Sequence, residues 1–396
     1  MRTGHDRTIA AVPRPIDIDR PTPLLGGLSP RAFMRRHWQK TPLVVRGAFA
    51  QARSLASPAD IRRLAARDGV ESRLVVRDGD AWSLRHGPFG ARALPSVSRP
   101  GWTLLVQGAD LHLDAARALL DRFRFVPDAR LDDVMLSYAT DGGGVGPHVD
   151  SYDVFLLQLR GRRRWRVAPP RRRARLRDDV PLRMLARLAP STEWALDEGD
   201  CLYLPPGWQH DGVAAGETIT ASIGFRAPTD VALGVDVLQQ LLDLRAEAVD
   251  GGVRYADPSQ RATGAPARVP APLVRFAESA VAALVGDRAS VARALGAALS
   301  EPKPGVWFDA RGSTKAVDGG VRLDRRTRML YDARHAYVNG EPYRVAGRDA
   351  MLVRRLADRR ALAAHDIRAL TREARAQVEA WCAAGWLHTD TGGDDT

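Results

Sequence analysis

The chain has 396 residues, 45% of them hydrophobic, which is enough for two or three domains with real cores. Its net charge of +12 comes almost wholly from arginine, and fits either an anionic partner or a genome whose base composition favours arginine codons. With Cys201 and Cys382 as the complete cysteine set, a disulfide framework and a thiolate zinc site are both excluded.

Residues 1–30 are proline-rich and aperiodic, and read as an arm. They hold no apolar signal core, and no stretch of the chain approaches membrane-span length, so a cytoplasmic protein with no membrane contact is expected. Ser29 and Pro30 are a natural cap and first residue for a short helix, followed by a turn at Thr41-Pro42 and a strand. Strand signals follow at ESRLVVRDG and WTLLVQG. A helix over 113–125 should start at an Asp114 cap. From 131 to 226 come β segments separated by turns: DDVMLSYAT, VDSYDVFLLQLRG, RRWRVAPP, STEWALDEGD, CLYLPPG and TASIGFRAP. That spacing suits a β-barrel or jelly roll. At Ala227-Pro228 the pattern turns helical: Val231, Val235, Leu238 and Leu242 share one face, and Leu273, Ala277, Leu284, Val291, Leu295 and Leu299 continue the helical pattern. EPKPG (301–305) reads as a linker. A mixed module then runs to about His388, with two or three helices and a short strand at its end.

The motif His-x-Asp occurs three times. In His112-Leu113-Asp114 the acid reads as a cap, and His388-Thr389-Asp390 reads as a solvated turn. His148-Val149-Asp150 differs because it follows a glycine run and opens a strand. Residues i and i+2 of an extended segment project from one face, so His148 and Asp150 can grip one ion. His210, after the Pro-Pro-Gly turn, is the candidate third ligand. Two imidazoles and a carboxylate form a facial set that suits Fe(II) and leaves three positions open. A 2-oxo acid would fill two of them and O2 the last.

The distal carboxylate of such an acid needs a fixed cation, and an arginine fork matches it. In RGRRRWRV, with Gly161 as a hairpin turn, alternation puts Arg163, Trp165 and Val167 on one face. Trp165 and Val167 are apolar, so that face is inward and Arg163 is the anchor. Arg162, Arg164 and Arg166 face solvent. Ser137 is a candidate second contact on a neighbouring strand. GGGVGP should form a flexible wall beside the metal. Tyr152 and Asp153 either orient a cationic substrate side chain or complete a turn.

GGGVGPHVDSYDVFLLQLRGRRRWRV, LPPGWQHDG and SIGFRAP resemble the bacterial ribosomal oxygenases, a JmjC group of 2-oxoglutarate- and Fe(II)-dependent hydroxylases in the cupin superfamily. The likeness is dense over 131–228, plausible over 37–49, and beyond 229 rests on order and length. It implies an α+β chain: a double-stranded β-helix (cupin/JmjC jelly roll) at 1–228, a helical dimerisation region at 229–304 and a winged-helix-like domain at 305–396. It implies His148, Asp150 and His210 as iron ligands, Arg163 and Ser137 on 2-oxoglutarate, and a ribosomal protein as substrate. The expected reaction is hydroxylation of an arginine of large-subunit protein sixteen. Hydroxylation of a histidine elsewhere in the ribosome is the alternative, as is a DNA-binding regulator with a cupin sensor core. Direct nucleic-acid binding by the C-terminal module is possible but not favoured. One departure is visible: Thr220 stands where a family member has Asn.

Overall fold

The computed structural model describes residues 16–90, 92–171, 174–246, 253–262, 265–310, 317 and 319–389, in two units that part between Ala227 and Pro228. In the first unit the Ser29 hydroxyl accepts from the Ala32 N–H and caps helix α1 (Pro30–Arg36), with Pro30 in its first turn. Strand β1 (Leu43–Val45) follows. Helix α2 (Pro58–Ala65) has no counterpart in the sequence reading, although Ser57 and Asp60 close a capping box at its start. Strands β2 (Ser72–Asp78) and β3 (Ala81–His86) make a hairpin, and β4 (Trp102–Val106) lies on the other side of β2. Helix α3 (Asp114–Asp121) begins one residue earlier than expected. Leu113 is its cap residue, and Asp114 lies in the first turn, where a carboxylate still favours the helix N-terminus.

The remaining strands are β5 (Leu131–Ala139), β6 (His148–Val149), β7 (Val154–Ala168), β8 (Thr192–Leu196), β9 (Cys201–Leu204) and β10 (Gln209–Phe225). The sheet order is β1-β9-β7-β10-β5-β4-β2-β3, with β6 added on β10 and β8 on β7. The long antiparallel pair β7–β10 is bent in the middle. Its one half joins Val154–Arg160 to Ile219–Gly224, and its other half joins Arg162–Ala168 to Gln209–Ala215. Gly161 is therefore not a hairpin turn. It sits at the bend, at φ +70°, where a Cβ would lie 2.2 Å from the Glu217 carbonyl. The bend lets both strands serve two sheet halves, as a jelly roll requires.

Alternation along β7 runs as the sequence predicts: Arg163, Trp165 and Val167 are buried, while Arg162 and Arg164 are exposed and Arg166 half-buried. At one end of the barrel Phe33, Phe123, Phe155, Tyr203 and Phe225 pack together, with Phe33 and Tyr203 centroids 4.9 Å apart. Burying each such ring contributes about 2–3 kcal/mol. Asp153 is pinned there, fully buried. It accepts from the Tyr203 hydroxyl at 2.6 Å and from Gln39 Nε2 at 3.0 Å. It is thus a clamp between the N-terminal segment and the barrel rather than a substrate-orienting group.

The second unit opens with helices α4 (Asp230–Ala246), α5 (Ala271–Val285) and α6 (Arg288–Ser300). The predicted α4 stripe is present but uncovered: Val231 is 71% exposed and Val235 59%. Strands β11 (Val321–Leu323), β12 (Met329–Tyr331), β13 (His335–Val338) and β14 (Glu341–Arg344) lead to α7 (Gly347–Arg359), β15 (Ala361–Leu362), α8 (Ala364–Arg368), α9 (Arg372–Ala383) and β16 (Leu387–Thr389). They form two three-stranded sheets, β15-β11-β16 and β12-β13-β14. Helix α6 packs on the second sheet: the Tyr337 ring lies across Gly296, and Gly340 N–H donates to Ser300 Oγ at 3.1 Å.

His388 lies in β16 rather than in a solvated turn, and Asp390 is outside the described residues. His388 pairs with Asp324 at 2.7 Å, and the same carboxylate accepts from Arg326 N–H and Nε, each at 2.8 Å. Burial works to raise the Asp324 pKa, but these bonds outweigh it and hold it far below the usual range. A depressed carboxylate stabilises the fold above its unfolded pKa, about 4, and that stability is lost as pH falls below it. Asp324→Asn should cost about 2–4 kcal/mol and remove most of this acid sensitivity, as read by thermal melts of the two proteins between neutral and acidic pH.

Candidate metal centre

The Pro205-Pro206-Gly207 turn, with Gly207 at φ +81°, reverses the chain from β9 into β10. The Gly207 N–H donates to the Asp150 carbonyl at 2.8 Å, tying this turn to the segment after β6. Strand β10 then runs between β6 and β7, and its register sets His210 directly opposite His148. The two rings lie 4.2 Å apart. His148 Nε2 is 3.8 Å from Asp150 Oδ1, and His210 Nε2 is 3.4 Å from Asp150 Oδ2. One donor atom from each residue lies within 4.8 Å of the others, and no other such group of three occurs among the described residues. His112 and His388 join no such group.

The remaining ring nitrogens are committed. His148 Nδ1 faces the Gly146 carbonyl at 2.9 Å, and His210 Nδ1 faces the Trp208 carbonyl at 3.0 Å. A carbonyl requires N–H there, which leaves each Nε2 lone pair turned toward Asp150. Burial, and then the neighbouring His210, lower the His148 pKa to about 4, so His148 is a neutral donor at pH 7. Two imidazole nitrogens and a carboxylate at these separations fit a divalent ion, whose cis donors sit about 3 Å apart.

Next to this cluster lies a buried cation. Arg163 is 4% exposed. It donates to Ser137 Oγ at 3.2 Å, Thr220 Oγ1 at 3.4 Å and the Gly212 carbonyl at 3.1 Å. Its Nε has no partner, and no carboxylate among the described residues pairs with it. Burial brings its pKa down to about 10, which still leaves it charged. Ser137, Thr220 and Gln158 form one row across β5, β10 and β7, with Thr220 Oγ1 donating to Gln158 Oε1 at 3.1 Å. Gln158 and Gly212 were not expected from the sequence. Gly212 is needed because a Cβ there would meet Trp165 at 2.6 Å and Arg163 Nε at 2.9 Å. The Trp165 indole N–H is also buried without a partner.

Within the glycine run, Gly144 and Gly146 are closely packed. A Cβ on Gly144 would lie 2.6 Å from the Gly212 carbonyl, and one on Gly146 would lie 2.4 Å from Met184 Cε. Tyr152 is exposed beside Asp150.

The chain matches the family model of the JmjC domain over residues 118–233 and that of the ROXA-like winged helix over 283–388. The chain thus carries a JmjC domain of the cupin fold and a ROXA-like winged helix, as the sequence resemblance implies. Among curated proteins it is 37% identical over 240 residues to the ribosomal protein uL16 3-hydroxylase of Escherichia coli, covering 60% of this chain and 62% of that protein. It is 34% identical over 211 residues to a probable ribosomal oxygenase of Haemophilus influenzae, covering 51% and 50%. The chain therefore aligns with half to three-fifths of the length of these relatives. Among solved structures it superposes on E. coli YcfD with a TM-score of 0.78 at 29% identity, covering 90% of this chain and 97% of that one. It also superposes on that ribosomal oxygenase in complex with cobalt and 2-oxoglutarate, with a TM-score of 0.73 at 28% identity, covering 92% and 98%.

Removing a donor should abolish tight metal uptake. Titration calorimetry with Co(II) should show His210→Ala weakened by more than the roughly 10–100-fold that loss of an outer partner causes.

Proposed function

We propose that the protein is a 2-oxoglutarate- and Fe(II)-dependent hydroxylase of a ribosomal protein. The observation that carries this reading is the pairing of a three-donor cluster with a buried, anion-less guanidinium. Two imidazoles and one carboxylate leave positions open for a chelating co-substrate. Arg163, steadied by Ser137 and Thr220, meets the co-substrate's distal carboxylate as a fork. When bound, the iron supplies the oxidation of an unactivated C–H bond at the expense of 2-oxoglutarate and O2. The protein's own residues position the reactants and keep water away. Thr220 is shorter than an Asn, and its hydroxyl links Arg163 to Gln158, so the anchor row is held by a side-chain chain rather than by one amide.

The favoured substrate is an arginine of uL16, by similarity to the E. coli 3-hydroxylase. A histidine of another ribosomal protein is the second reading, since a 24% identical Drosophila persimilis relative is named as a histidyl-hydroxylase. A ribosomal substrate sets the work in the cytoplasm. A DNA-binding regulator with a cupin sensor has no use for an open metal face beside an unpaired arginine. We also propose that α4 and α5 pack against a second copy of the chain. Leu238 is 51% exposed and Leu242 50% on α4, while α5 exposes Val274 and Val281, apolar exposure of the kind that marks association.

Purified protein with Fe(II), 2-oxoglutarate and intact uL16 should add about 16 Da, one oxygen, to one arginine by mass spectrometry. Modification of a histidine, or of no ribosomal protein, would reject the uL16 assignment. Arg163→Gln and Gly212→Ala should each raise the 2-oxoglutarate KM by roughly tenfold or more while metal binding persists, as steady-state kinetics and Co(II) titration show. Val235→Glu with Leu238→Glu should yield monomers in sedimentation runs where the parent is dimeric.

A further inference from the structure

Within the second unit, a cleft of about 860 Å³ opens between α6 and the β13–β14 hairpin. Four basic side chains line it: Arg293 from α6, Arg334 and His335 from the start of β13, and Arg344 from β14. His335 and Arg344 are direct cross-strand partners, which places two basic groups side by side. Among the described residues no carboxylate pairs with Arg293, Arg334 or Arg344. Asp332 lies 3.6 Å from His335 Nδ1 and is engaged by the Tyr337 hydroxyl at 2.6 Å. Arg293 Nε is itself buried with no acceptor. The rest of the lining is apolar, with Pro342 and Val345 offering a face for a sugar or base.

Like charges gathered in a concavity are costly without an anion to answer them. Planar guanidinium forks answer phosphate with two parallel bonds. The volume exceeds what a single carboxylate fills and suits a nucleotide-sized segment. We infer that this cleft binds phosphate groups of single-stranded RNA. The phosphate chemistry stands on the cleft; the choice of RNA over an acidic peptide rests on the ribosomal reading of the other unit. The site also differs from the groove-reading helix of DNA-binding winged helices, since α9 contributes nothing to it.

The test uses the full chain without iron or 2-oxoglutarate, so its outcome is separate from that of the hydroxylation assay. Anisotropy of a short labelled single-stranded RNA is followed against salt. Arg334→Gln with Arg344→Gln, both exposed positions, should weaken binding roughly tenfold and flatten the salt slope by about one per lost phosphate contact. Arg368→Gln with Arg372→Gln removes the same charge from the α8–α9 surface and should leave binding unchanged. Inorganic phosphate at fixed ionic strength should displace RNA only weakly. Binding lost in the α8–α9 variant but kept in the cleft variant would overturn the assignment. So would polyglutamate binding as tightly as RNA, or inorganic phosphate matching RNA, which would mark a site for free phosphate.

Discussion

The register of β10 between β6 and β7 is the constraint from which the site follows. His210 lies opposite His148 on one side and Val167 on the other, and Gly212 two residues on lies opposite Trp165. Strand side chains alternate, so a slip of one residue would turn His210 outward and bring Asp211 into its place. Three features hold the register: the Pro-Pro-Gly turn, the bend at Gly161, and the pair formed by Arg166 with buried Asp211 on the opposite face. The chemistry therefore sits on rigid strands, and the loops that frame it are packed against the same strands.

The buried Arg163 sets the second feature of the site. A guanidinium under a few per cent exposure with no counter-ion costs roughly several kcal/mol of desolvation, which three neutral acceptors only partly offset. Stability alone would not select such an arrangement. In the proposed reading a dicarboxylate co-substrate completes it, so the cost borne by the empty fold becomes binding energy. Gly212 makes the arrangement possible by leaving room for the guanidinium and the Trp165 ring against bare backbone. Positive side chains without a carboxylate partner among the described residues also gather in the cleft of the second unit, there on the exposed Arg334 and Arg344.

Much of the site was legible because strand periodicity is strict. The inward face of β7 could be read from Trp165 and Val167, and Arg163 followed from it. His148 and Asp150 share a face for the same reason, and the turn before His210 is written in two prolines and a glycine. Features set by distant partners were not legible. Gly161 looks like a hairpin turn because nothing local reveals that β10 continues beside it on both sides. Asp153 lies three residues after Asp150 in sequence, yet Tyr203 and Gln39 draw it into the core. The glycine run suggested flexibility, but its missing side chains are explained by carbonyls of β4 and β10 and by Met184. Helix α2 carried a readable capping box, and β3 a readable alternation of half-buried Trp82 and Leu84 with exposed Ala81, Ser83 and Arg85, so both were locally legible.

The central claim is most directly tested by anomalous diffraction from crystals grown with Co(II) and 2-oxoglutarate. The account predicts one strong metal peak bounded by His148 Nε2, His210 Nε2 and an Asp150 oxygen, with the distal carboxylate of the co-substrate against Arg163. A metal peak elsewhere, or a co-substrate whose carboxylate leaves Arg163 unanswered, would contradict it.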